Sequence, residues 1–109
     1  MNIGVQRAEA FADAGHKCLI CGGQASDLHH VIGKSYTQGN AAARELSNSK
    51  YLTAPLCRAC HSRAHTPTTR TLLLGILIKR YDRNSVAGAL EALKAVLRGT
   101  LDIELPEGE

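Results

Sequence analysis

Two cysteine pairs limit this chain more than any other feature: Cys18-x2-Cys21 and Cys57-x2-Cys60, with 35 residues between them. A two-residue spacer lets both thiolates of one knuckle point at a single tetrahedral ion, so two such pairs predict a closed four-cysteine site. The structural Zn²⁺ expected there would tie two distant stretches of chain together. Besides free buried thiols, disulfides are the competing reading. They suit secreted proteins, and residues 1–7 lack the basic-then-apolar pattern of a secretory signal, so an intracellular, cytoplasmic location with reduced thiols is expected. Redox-active pairs would want a βαβ setting, which the pattern does not offer.

Size makes such a staple useful. The chain has 109 residues, enough for one domain, and 44% of them are hydrophobic. Aromatics are only Phe11, Tyr36, Tyr51 and Tyr81. That excludes a base-stacking platform for single strands and leaves a small core to aliphatic packing. The longest apolar run, residues 72–78, is far short of the roughly 20 residues that span a bilayer, so no membrane role is expected. The formal charge of +3 hides an asymmetry. Asp102, Glu104, Glu107 and Glu109 make residues 101–109 an acidic tail; without them the body carries +7. A basic body suits a polyanionic partner.

Periodicity predicts a helix over residues 5–14 ended by Gly15, a knuckle over 18–24 and a strand over 27–32. Residues 33–49 are polar and aperiodic, and read as a long loop with a helical turn at 41–46. A second strand is expected over 51–56, held to an edge by Pro55, followed by a helix over 58–65. Thr66-Pro67-Thr68 breaks it and caps helices over 69–83 and 85–98. In the last, Val86, Leu90, Leu93 and Leu97 share one face, read as core packing or a homodimer seam.

Of the five histidines, His29, His30, His61 and His65 fall in suggestive places. On the expected helix, His61-x3-His65 sets two imidazoles one turn apart, a chelating arrangement. His29 and His30 are neighbours in a strand and should point to opposite faces, one toward a metal and one toward a substrate. Taken singly, His65 reads as a surface residue and His29-His30 as a strand pair satisfied by carbonyls. Together, with the zinc ligands already supplied by cysteine, the imidazoles make a site with open positions, the pattern of a catalytic metal. His16 stands outside it.

The segments Cys18-Leu19-Ile20-Cys21-Gly22, Leu28-His29-His30-Val31-Ile32 and Pro55-Leu56-Cys57-Arg58-Ala59-Cys60-His61-Ser62-Arg63-Ala64-His65 resemble the HNH endonucleases, in particular the small cysteine-bearing HNH proteins of bacteria and phages. The likeness covers about residues 5–66. It implies an α+β fold with a ββα-metal (His-Me finger) core, flanked by the N-terminal and C-terminal helices, as a single nuclease domain over residues 1–100 with residues 67–100 as a helical extension. It also implies that His29, His61 and His65 ligate a divalent ion, that His30 is the general base, and that Cys18, Cys21, Cys57 and Cys60 hold an accessory zinc. The family's middle Asn falls here on Leu52. Asn48 lies four residues upstream, so either a short insertion displaces it or another group takes its loop-bracing role.

The expected activity is metal-dependent hydrolysis of DNA phosphodiester bonds, with low sequence specificity. All-imidazole ligation suits Zn²⁺, Ni²⁺, Co²⁺ or Mn²⁺ better than oxygen-seeking Mg²⁺, which substrate and water oxygens would still support. Lys34, Arg58 and Arg63 lie near the motif and are the candidate phosphate contacts. The alternatives are a non-catalytic zinc-stabilised DNA-binding or adaptor module and a partner-binding domain using the face from Val86 to Leu97. The histidine doublet separates them, because a binding module has no need of a base beside a metal ligand.

Overall fold

In the computed structural model, residues 3–106 are described, with side chains from Gln6 onward. The first helix, α1 (Ile3–Asp13), ends where Gly15 turns into positive φ (+65°). The Gly15 and His16 amides donate back to the Ala12 and Phe11 carbonyls, and the Phe11 and His16 rings stack at 6.3 Å. This is a Schellman cap with its usual side-chain contact, and it accounts for His16.

Strands β1 (Asp27–His30) and β2 (Thr53–Leu56) form a two-stranded antiparallel sheet in which His29 faces Ala54 and His30 faces Thr53. With only two strands both are edges, so Pro55, opposite Leu28, breaks no central ladder. Both strands are shorter than expected. Val31 still donates in register to the Leu52 carbonyl, but Ser49 caps a 3-10 turn over Lys50–Leu52 that delays β2 and ends the pairing there.

The segment read as a long loop holds two short helices, α2 (Lys34–Thr37) and α3 (Ala41–Ser47). Asn40 starts α3 by accepting from the Ala43 amide at 2.9 Å. The segment buries Thr37, Ala43 and Ser47, small residues that leave no apolar period to read.

After β2 comes α4 (Arg58–Ser62), which packs on both strands. It stops short of the expected end at residue 65, so His61 and His65 do not share a helix face. Thr66 precedes Pro67 and is extended (φ −128°, ψ 153°), which forces the chain off the α4 axis before it enters the next helix. Helix α5 (Pro67–Arg80) begins with Thr66 as cap and proline in its first turn. Helix α6 (Arg83–Leu97) is capped by Asp82, which accepts from the Ser85 amide at 2.6 Å.

Leu73, Leu74 and Leu77 of α5 meet Val86, Leu90, Leu93 and Leu97 of α6 in one core with Leu52, Ala54 and Leu56. The α6 face proposed as a dimer seam is therefore spent inside the protomer. The described part of the acidic tail, residues 101–106, is tied down: Leu101 and Ile103 are buried, and Glu104 pairs with Lys94 at 3.0 Å, while Glu107 and Glu109 lie outside the described residues. The result is a small α+β fold in which the helical layer supports a hairpin and α4. Among the described residues, no helix is long and apolar enough to cross a membrane.

Candidate metal centres

The four cysteines converge, their sulfurs all lying within 4.8 Å of one another. The knuckle closes because Gly22 takes φ +81°, so that its amide reaches the Cys18 carbonyl while the Cys18 amide donates to that of Gly23. On the other side Cys57 is the N-cap of α4, and its Sγ accepts from the Cys60 amide at 3.4 Å. The Cys21 and Gly23 amides donate to Cys18 Sγ and Cys21 Sγ. Sulfurs arranged tetrahedrally about 2.3 Å from a zinc ion sit about 3.8 Å apart. Cys21 Sγ and Cys57 Sγ are 3.7 Å apart. Donor type, number and spacing fit a structural zinc.

The thiols are tuned unevenly. Burial pushes Cys18 up, but the amides of Cys21, Cys57 and Ile20 outweigh it and bring it down to about 6. The Cys60 amide lowers Cys57. Cys60 is pushed up to about 12 by its hydrogen bond with Cys57, by burial and by the other sulfurs. Crowded sulfurs resist ionising together unless a cation sits among them.

The second cluster is His29, His61 and His65, whose ring nitrogens also lie within 4.8 Å of one another. β1 supplies His29, α4 supplies His61, and the turn after α4 supplies His65 although the helix has ended. Ala64, buried and donating to the His61 carbonyl, pins that turn. The rings sit 5.2 to 5.6 Å apart between centroids. Burial, then the neighbouring imidazoles of His61, His65 and His30, hold His29 down to about 4, so it stays a neutral lone-pair donor.

Behind His61 stands Asp27, which sequence reading missed. Its Oδ2 accepts from His61 Nδ1 at 2.9 Å, leaving Nε2 as the ligand atom. The hydrogen bond from His61, then those from Arg58 and Ser26, hold the Asp27 carboxyl down to about 2 against burial. Strand alternation carried a signal for it, since Asp27 and His29 are two apart and share a face. Three nitrogens and an open cleft beside them, lined also by Leu28, His30 and Lys34, fit a divalent ion with a free position.

His30 is half-buried and takes a different partner: its Nε2 lies 2.5 Å from Oδ1 of Asn48, at the C-cap of α3. With the amide oxygen accepting, the proton sits on Nε2 and the lone pair on Nδ1. Leu52, where the HNH pattern puts its Asn, is instead fully buried and gives its carbonyl to Val31.

Of the three cations singled out from sequence, Lys34 lines the histidine cleft, while Arg63 caps the C-terminus of α4 and is exposed. Arg58 is exposed but paired, its Nε 2.9 Å from Asp27 Oδ2. Comparison with protein-family models, with curated proteins and with solved structures gave no match.

Proposed function

We propose that this chain is a metal-dependent endonuclease hydrolysing DNA phosphodiester bonds on a ββα-metal core of the HNH type. One observation carries the reading. Across a single strand, His29 joins two imidazoles at a three-donor centre, while its neighbour His30 is braced by Asn48 with Nδ1 free. Cleavage needs a proton acceptor for water and charge stabilisation around the phosphate. His30 Nδ1 takes the proton as the water oxygen bonds to phosphorus and the bond to the 3′ oxygen breaks. Asn48 holds the ring by its Nε2 proton, which keeps the lone pair on Nδ1. A divalent ion on His29, His61 and His65 would supply Lewis-acid stabilisation of the phosphate and the leaving oxygen. Asp27 fixes the His61 tautomer, and the cysteine centre holds α4 to the knuckle.

The doublet recognised in sequence and the Asn48 brace support the same assignment of roles from separate directions. A zinc-stabilised DNA-binding or adaptor module needs no braced imidazole beside a metal ligand. Nicking of supercoiled plasmid by the purified protein, with Mn²⁺, Ni²⁺, Co²⁺, Zn²⁺ or Mg²⁺ added in turn, tests the reading. Cleavage that depends on added metal and on His30 is expected. Binding of plasmid without cleavage under every metal overturns it in favour of the adaptor.

A further inference from the structure

Three clefts meet at His30. The histidine cleft is one. A second, of about 640 Å³, runs past Lys34, Gln38, Ser47 and Asn48 to Arg44. The third runs past His65 and Thr66 to Arg70. Lys34 lines both the first and the second, and His65 both the first and the third, so the three form one furrow. Among the described residues, no aspartate or glutamate lines any of them.

The side chains of Lys34, Arg44 and Arg70 have no ion-pair or hydrogen-bond partner among the described residues. The groove between α1, α3 and α6 is built differently, with Glu9 and Glu45 beside Lys50. Walls of one sign concentrate a polyanion, whereas mixed walls do not. The furrow's ring faces besides the imidazoles come down to half-buried Tyr36, so contact falls on phosphates rather than stacked bases.

Resting on the nuclease reading for the identity of the polyanion, we infer that the DNA backbone lies in this furrow, its phosphates held by Arg44 and Lys34 in the second cleft and by Arg70 in the third. Arg58 and Arg63 stand closer to the metal ligands in sequence but line none of these clefts, and Arg58 is committed to Asp27.

The test is fluorescence anisotropy with a labelled DNA duplex of about 30 base pairs over a salt series. It uses the full chain carrying His30→Ala, so that cleavage cannot consume the probe. Arg44→Gln and Arg70→Gln each weaken binding about threefold and flatten the slope of log K against log salt by about 0.9; together they weaken it about tenfold. Arg70 is half-buried, so Arg70→Lys serves as its check and restores most of the affinity. The pair Lys79→Gln with Arg98→Gln removes the same charge away from the furrow and has the smaller effect.

A furrow double variant that binds no more weakly than this control pair overturns the inference. So does absence of any duplex binding, which would point to an acidic protein partner. Wild-type protein that binds through Arg44 and Arg70 yet never nicks plasmid supports the furrow and sinks the nuclease reading. Nicking with the furrow variants binding at full strength sinks the furrow alone.

Discussion

The cysteine and histidine centres share a helix and almost nothing else. Cys60 and His61 are consecutive on α4, about 100° apart around its axis, and that rotation sends them to different clusters. The cysteine centre has four donors, amide hydrogens on three of its sulfurs, and ligands drawn from two distant stretches of chain. Every coordination position of a tetrahedral ion is filled by protein. The histidine centre has three donors, a carboxylate behind one of them and a cleft in front. Donor count and surroundings, more than the choice of metal, separate a staple from a reactive site.

The most forceful way to break that contrast is Cys57→Ser. Serine is itself a good helix cap, so the substitution keeps the capping role of residue 57 and removes only a thiolate. Structural zinc is worth about 10–16 kcal/mol in small zinc-folded peptides, as much as the whole stability of an ordinary domain. The variant is expected to be unfolded or aggregated, as read by circular dichroism and zinc content. A soluble variant that melts cooperatively without zinc would remove the staple from the comparison.

His30→Ala comes next and acts on the other side. Loss of a general base costs roughly 10²–10⁴ in rate. Plasmid nicking should fall by that factor while metal content and DNA binding hold. Full activity in the variant would show that the braced imidazole is not the base.

The same contrast explains what could be read from sequence. Cysteine pairs announce themselves because the constraint is local: two residues between thiolates fix a knuckle wherever it occurs. The helices α5 and α6 were legible from Thr66-Pro67 and from the spacing of Val86, Leu90, Leu93 and Leu97, because each buries a stripe. The segment holding α2 and α3 buries Thr37, Ala43 and Ser47 instead, and small residues leave no period. Asn48 reaches His30 across 18 residues of chain, and Arg58 reaches Asp27 across 31. Such pairings depend on where α3 and α4 dock, which no local pattern encodes. Helical spacing puts His65 one turn from His61, but a turn after α4, and not the helix, brings it beside His29 and His61.

His61→Ala and His65→Ala sharpen the separation between the two centres. Each is expected to cut the metal stoichiometry from two ions to one, leaving the cysteine-bound zinc and the melting transition in place. Elemental analysis after exhaustive dialysis gives the count. Loss of the cysteine-bound zinc in either variant would merge the two centres into one.

The finest test is Asp27→Asn, which alters neither ligand set. An outer carboxylate on a metal-bound histidine is typically worth 10–100-fold in metal affinity. The loss should appear at the histidine centre and not at the cysteine centre. Its pH dependence follows from the sign of the shift. Asp27 is held down to about 2, so its contribution is complete above the ordinary carboxylate range and is lost only as pH falls through about 2. Between pH 5 and 8, where free imidazoles titrate, the carboxylate stays ionised. At neutral pH the ratio of the two proteins' affinities at the histidine centre should therefore lie in that range of about 10–100-fold. A titration with Co²⁺, followed by its visible absorption, reads that ratio. An affinity left unchanged by Asp27→Asn at neutral pH would mean that Asp27 does not act on His61 as an ionised acceptor.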